Sequence, residues 1–127
     1  MLIIEYNEAM RSAMSALLLR RYESARLLHA GDGAGALALA TEMQPGVVLL
    51  SIGLPDAGTD DLLPRLRAAA PAAIIIVVSY QCPALYRTWA LAAGADGFVQ
   101  KDRVFQELVP AIESARAVRT APVSESN

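Results

Sequence analysis

A chain of 127 residues has room for one ordinary domain and not for two. Apolar residues make up 54% of it and charged residues 19%, which favours a packed core and argues against global disorder. The formal net charge is −2, so there is no basic field to hold nucleic acid, and this segment alone is a poor candidate for DNA binding.

The lone cysteine, Cys82, rules out an internal disulfide and any cysteine-rich metal site, and points to a reduced, cytoplasmic compartment. The opening MLIIEYNEAM has no basic leader and only a short apolar run, so it does not read as a signal peptide. The uncharged stretch from Ala68 to Leu85 contains Pro71, Ser79, Tyr80, Gln81 and Pro83, which suits a buried strand with its turns better than a membrane span. Ten of the eleven basic residues are arginine; the exception is Lys101.

In chain order, the apolar run Leu2–Ile4 predicts a first strand. Asn7 then offers an N-cap to a helix with Met10, Met14, Leu17 and Leu18 on one stripe. Ala25–His29 predicts a second strand, ahead of a Gly31-Asp32-Gly33 turn. Leu37, Ala40 and Met43 line a second helix that ends before Pro45, and Val47–Leu50 predicts a third strand. Leu62, Leu63 and Leu66 mark a third helix, capped by Asp60 or Asp61 and stopping before Pro71. Ile74–Val78 is a fourth strand. Leu85, Trp89 and Ala92 mark a fourth helix closed by Gly94. Gly97–Val99 gives a weaker fifth strand, and Val104, Leu108, Ile112 and Ala115 a fifth helix with Asp102 as cap. Pro64 and Pro110 fall inside helical patterns, where a first-turn position accommodates them most easily. Residues 1–119 read as the domain, and 120–127 as a flexible tail or the start of a linker.

The strands are continuous apolar runs, as expected when both faces are covered. Five β-α units in strict alternation imply a parallel sheet with helices on both sides and right-handed crossovers. Such sheets place their functional crevice at the carboxyl ends of the strands. There the sequence offers Glu5, Tyr6 and Asn7, then Ser51, then Ser79 and Tyr80, and finally Lys101.

The segments PGVVLLSIGLP, IIIVVS and AGADGFVQKD, taken together, resemble a response-regulator receiver domain over Leu2 to about Val118. That family carries an acidic pair after its first strand and a phosphoacceptor Asp ending its third, followed by a Leu-Pro or Met-Pro turn. A Thr or Ser ends its fourth strand and a Lys its fifth. The resemblance places Ser51 at the acceptor position, with Pro55 four residues on, and Ser79 at the hydroxyl position. Phe98 falls at the aromatic switch position and Lys101 at the lysine position. It implies a CheY-like fold: a doubly wound (βα)5 three-layer α/β sandwich with flavodoxin-like strand order 2-1-3-4-5. The Lys-Asp ending leans toward the NarL-like branch, whose members continue into a helix-turn-helix domain.

The departures from the pattern carry the functional expectation. Ser51 replaces the acceptor aspartate, and Tyr6 replaces one of the acidic pair, leaving Glu5. A single carboxylate argues against a specific Mg²⁺ site, which needs several hard oxygen ligands. A serine hydroxyl is a weak nucleophile without an activating base, so Ser51 is expected to be structural. Lys101 is expected to pair with Glu5 and to hydrogen-bond Ser51 or Ser79. Tyr6 and Tyr80 are expected as surface tyrosines at the rim, the alternative being that they plug the crevice or form an aromatic pocket. His29 has no second histidine with which to bind a metal. Asp32, Asp56, Asp60 and Asp61 are explained by capping, with Asp56 a surrogate acceptor in the wrong register. Cys82 is expected to be inert. Gly31-Asp32-Gly33 lacks the spacing and lysine of a phosphate loop.

The expected function is therefore a phosphorylation-independent receiver: no enzyme, no catalytic residue, no metal and no cofactor. It would act as a protein-interaction or homodimerisation module through the fourth helix, fifth strand and fifth helix (Leu85 to Ala92, Phe98 to Lys101, Val104 to Ala115). DNA would be reached only through a following domain, and no membrane is involved. The alternatives are switching by phosphorylation at Ser51 or a surrogate Asp, and small-molecule sensing in the crevice formed by Tyr6, Tyr80 and Lys101. An independent hydrolase is the least favoured reading, since no nucleophile–His–acid set can be assembled with one histidine in the chain.

Overall fold

The computed structural model describes residues 1–56, 58–80 and 84–120. The strands are β1 (Leu2–Ile4), β2 (Leu28–Ala30), β3 (Val47–Ser51), β4 (Ile74–Ser79) and β5 (Gly97–Gln100). The helices are α1 (Glu8–Arg21), α2 (Gly33–Met43), α3 (Thr59–Ala69), α4 (Ala84–Ala92) and α5 (Val104–Thr120), the last preceded by a 3-10 turn at Lys101–Arg103. All strand pairs are parallel, in the order β2-β1-β3-β4-β5. This is the expected doubly wound α/β sandwich.

Alternation along the strands divides the interior into two cores, because successive side chains point to opposite faces. Leu2, Ile4, Val48, Leu50, Ile75, Val77 and Phe98 pack under α2, α3 and α4, against Ala36, Ala40, Leu62, Leu63, Leu66 and Ala90. Ile3, Val47, Leu49, Ile76, Val78 and Val99 pack under α1 and α5, against Met14, Leu18, Val104, Leu108 and Ile112. β3 and β4 are buried at every position, which explains their unbroken apolar runs.

Local signals account for several element ends. Asn7 caps α1 as expected, its Oδ1 accepting from Met10 N at 2.8 Å. Asp32 caps α2 through Gly35 N at 2.7 Å. Gly94 follows α4 with φ +119°, a conformation open to glycine and strained for other residues. Its carbonyl accepts from Arg67, whose guanidinium also reaches Asp96 at 2.7 Å and so ties α3 to the α4–β5 turn.

Other boundaries differ from expectation. β2 begins at Leu28 rather than Ala25, because only Leu28–Ala30 pairs with β1. The N-cap of α3 is Gly58, with no side-chain cap bond, and Asp61 lies within the first turn, paired with Arg65 at 3.3 Å. The helix dipole favours a carboxylate there without any capping bond; the Asp60 side chain lies outside the description. Asp102 does not cap α5: it sits inside the 3-10 turn, which starts at Lys101 and absorbs the change of direction from strand to helix. Pro64 and Pro110 occupy second-turn positions of α3 and α5 rather than first turns, each removing one backbone donor from an otherwise packed helix. Cys82 and the tail 121–127 lie outside the described residues.

Candidate functional site

The carboxyl ends of β1, β3, β4 and the segment after β5 bring four polar side chains together. Glu5, Ser51, Ser79 and Lys101 are the buried polar and charged residues among those described, each under 7% exposed. β1 and β3 pair in register at Ile4 and Leu50, and β3 and β4 pair at Ser51 and Val78. Glu5 and Ser51 therefore emerge side by side where the sheet ends.

The Lys101 ammonium lies 2.5 Å from Glu5 Oε1. The contact is an ion pair; Oε1 makes no aligned hydrogen bond. The other carboxylate oxygen, Oε2, accepts from Asn7 N at 2.9 Å. The expected Glu5–Lys101 pair is thus present. Of the two hydroxyls expected to join it, Ser51 Oγ is buried without a hydrogen-bond partner among the described residues. Lys101 is drawn to the charged acceptor because a carboxylate binds an ammonium more strongly than a hydroxyl does.

Tyr80 does more than pack on a loop. Its ring covers Lys101, with the centroid 4.9 Å from Nζ, while the residue itself stays 66% exposed. This is the geometry of a cation–π contact. Tyr6 is exposed at the rim. Ile52, Ser79, Tyr80 and Tyr86 line a cavity of about 260 Å³ next to the pair. Phe98 is buried and meets the Tyr86 ring at 5.8 Å, and Tyr86 in turn meets Trp89 edge-on at 5.4 Å.

Arg11, not singled out from the sequence, and Asp56, weighed there as a surrogate acceptor, also contribute. Arg11 donates to the Glu5 carbonyl at 2.8 Å and fixes the strand end against α1. Its placement in the first turn after Asn7 was the available signal. Asp56 accepts from Gly33 N at 2.7 Å and Ala34 N at 3.1 Å, and so joins the β3–α3 loop to the start of α2. The Gly33 N–H above all, assisted by that of Ala34, holds its carboxyl below the ordinary range. Asp56 thus clamps the α2 N-terminus. His29 is exposed in β2, and no group of three His, Cys, Asp or Glu side chains suited to a metal occurs among the described residues.

The sequence matches the response regulator receiver domain family over residues 1–113. The chain belongs to that family. This receiver is 35% identical over 114 residues to the transcriptional regulatory protein KdpE of Mycobacterium tuberculosis, covering 90% of this chain and 49% of KdpE. Among solved structures it resembles a LuxR-family two-component response regulator from Aurantimonas sp. SI85-9A1, with a TM-score of 0.84, 29% identity, and coverage of 93% and 84% of the two chains. It also shares the fold of the receiver domain of NarL from Mycobacterium tuberculosis, with a TM-score of 0.80, 24% identity, and coverage of 91% and 94%. The receiver spans about half the length of the curated relatives it matches. No helix among its described residues is long and apolar enough to cross a membrane.

Proposed function

We propose that this receiver works without phosphorylation, as a cytoplasmic signalling module whose conformation is set by its own side chains. The observation that carries the reading is the buried Glu5–Lys101 ion pair beside a serine, under the Tyr80 ring. An acyl phosphate needs a carboxylate nucleophile, and β3 ends in Ser51. Among the described residues Glu5 is the buried carboxylate at these strand ends, and it already faces the ammonium on Oε1 and Asn7 N on Oε2. The same residues do not fit Mg²⁺. A hard dication wants several oxygen ligands, whereas here one carboxylate is neutralised by a lysine. No enzymatic step is assigned to the site.

In this reading the output surface is the face of α4, β5 and α5. Leu85, Leu91 and Phe105 are large apolar side chains left exposed on α4 and α5, which favours a protein partner or a second copy of the chain. In a longer protein of the KdpE kind, the receiver would position a transcriptional output domain, and contact with DNA would belong to that domain.

The test is intact mass after incubation with acetyl phosphate and Mg²⁺, with Trp89 fluorescence followed in parallel. Trp89 reports through Tyr86 on Phe98. The expected result is no adduct and no spectral change. A stable adduct at Ser51, or a labile one at an aspartate, would restore a phosphorylation switch and sink the reading.

A further inference from the structure

A second concavity lies at the opposite end of the sheet from Ser51 and Lys101, at the amino ends of β1 and β3. It measures about 580 Å³, and its lining includes Arg21, Tyr22, Glu23, Arg26, Arg116 and Gly46. That volume lies within the range of small-molecule sites. Arg21, Arg26 and Arg116 bring three guanidiniums to its lining, with Glu23 on the same lining and Glu113 beside Arg21.

The arginines are held in place. Tyr22 donates its hydroxyl to Glu113 on α5, and its ring is faced by Arg21 at 4.9 Å and by Arg116 at 5.1 Å. One fixed ring thus places a guanidinium from the end of α1 and another from α5 at the same cavity. The Arg26 backbone is pinned as well, its carbonyl accepting from the Met1 amine at 2.7 Å. The Arg21–Glu113 contact is 3.6 Å long and exposed on both sides, so it competes weakly for the guanidinium. The positive field is felt locally: burial, and after it the Arg116 charge, push the Met1 amine below its ordinary value.

We propose that this pocket binds a small soluble anion carrying two or more phosphate charges, held by Arg26 and Arg116 with Arg21 at the rim. Guanidinium is suited to this task because its planar fork donates two parallel N–H groups to phosphate oxygens. Such a ligand would bridge the α1–β2 connection and α5, joining a metabolite signal to one of the two helices of the proposed output face.

The probe is inorganic pyrophosphate, titrated calorimetrically into the 127-residue chain at constant ionic strength. The expected result is saturable binding at one site. Arg26→Gln and Arg116→Gln should each weaken it about tenfold, as expected for loss of one charge-assisted contact. Arg26 is exposed, so its replacement leaves the fold intact even if Arg116→Gln disturbs Tyr22. Arg87→Gln, on exposed α4, should bind as the wild type does. Heats that never saturate, or an equal loss in Arg87→Gln, would mean general charge screening and overturn the proposal.

Discussion

Lys101 and Glu5 meet at 2.5 Å with side chains only 5% and 4% exposed. Two charges taken out of water depend on each other more than they stabilise the fold. Lys101→Met or Glu5→Leu should therefore each cost about 3–5 kcal/mol, because the remaining partner is left as a buried charge without its counter-ion. The double variant Glu5→Leu/Lys101→Met should recover most of that loss. Urea unfolding of all four proteins measures the coupling, and additive losses would contradict the pairing.

Ser51→Ala should behave differently. Its hydroxyl is buried without a protein partner among the described residues, so removing it loses no protein hydrogen bond. The change in stability should stay within about 1 kcal/mol of zero. A loss of twice that would show that Ser51 holds a group the crevice depends on.

Asp56 gives an acid-side prediction. Its carboxyl is depressed below the ordinary range by the Gly33 and Ala34 N–H groups. A depressed carboxylate contributes stability that is present above its unfolded pKa and disappears as pH falls through the folded value. Wild type and Asp56→Ala should therefore differ at pH 6 and converge in acid. Amide exchange at Gly33 and Ala34 should be faster in the variant at neutral pH.

Tyr22 predicts an alkaline effect of the opposite sign. Burial first, and then its bond to Glu113, push the phenol from 10.0 up to about 12. The protonated form is favoured in the fold, so its contribution is complete below pH 10 and falls away as pH rises toward 12. Thermal melts of the wild type should decline through this window more steeply than those of Tyr22→Phe.

Gly94 stands at φ +119°, and a Cβ there would lie 3.1 Å from Arg67 Cγ. Gly94→Ala should cost about 1–3 kcal/mol through backbone strain, with further loss if the Arg67–Asp96 contact shifts. Chemical denaturation against an Ala substitution at Gly46, where a Cβ would meet nothing within 4 Å, separates the turn from a generic glycine effect.

The sequence by itself determined the alternation of five strands and five helices, and it placed Glu5, Ser51, Ser79 and Lys101 at strand ends. Those features are written in local periodicity, in apolar runs such as Ile74–Val78, and in single residues such as Asn7 and Gly94 whose preferences act within one turn. Helix starts at Gly58 and Lys101 were less legible, because a first-turn carboxylate looks the same in sequence whether or not it caps.

Only the tertiary structure decided which partners these groups take. Lys101 chose Glu5 over Ser51, Tyr80 folded over the lysine, Asp56 reached across to the start of α2, and Tyr22 gathered Arg21 and Arg116 around one ring. Each of these contacts joins residues from separate elements. Strand register and helix packing set their distances, and a difference of a few ångströms decides whether a charge is paired, covered or left facing a cavity.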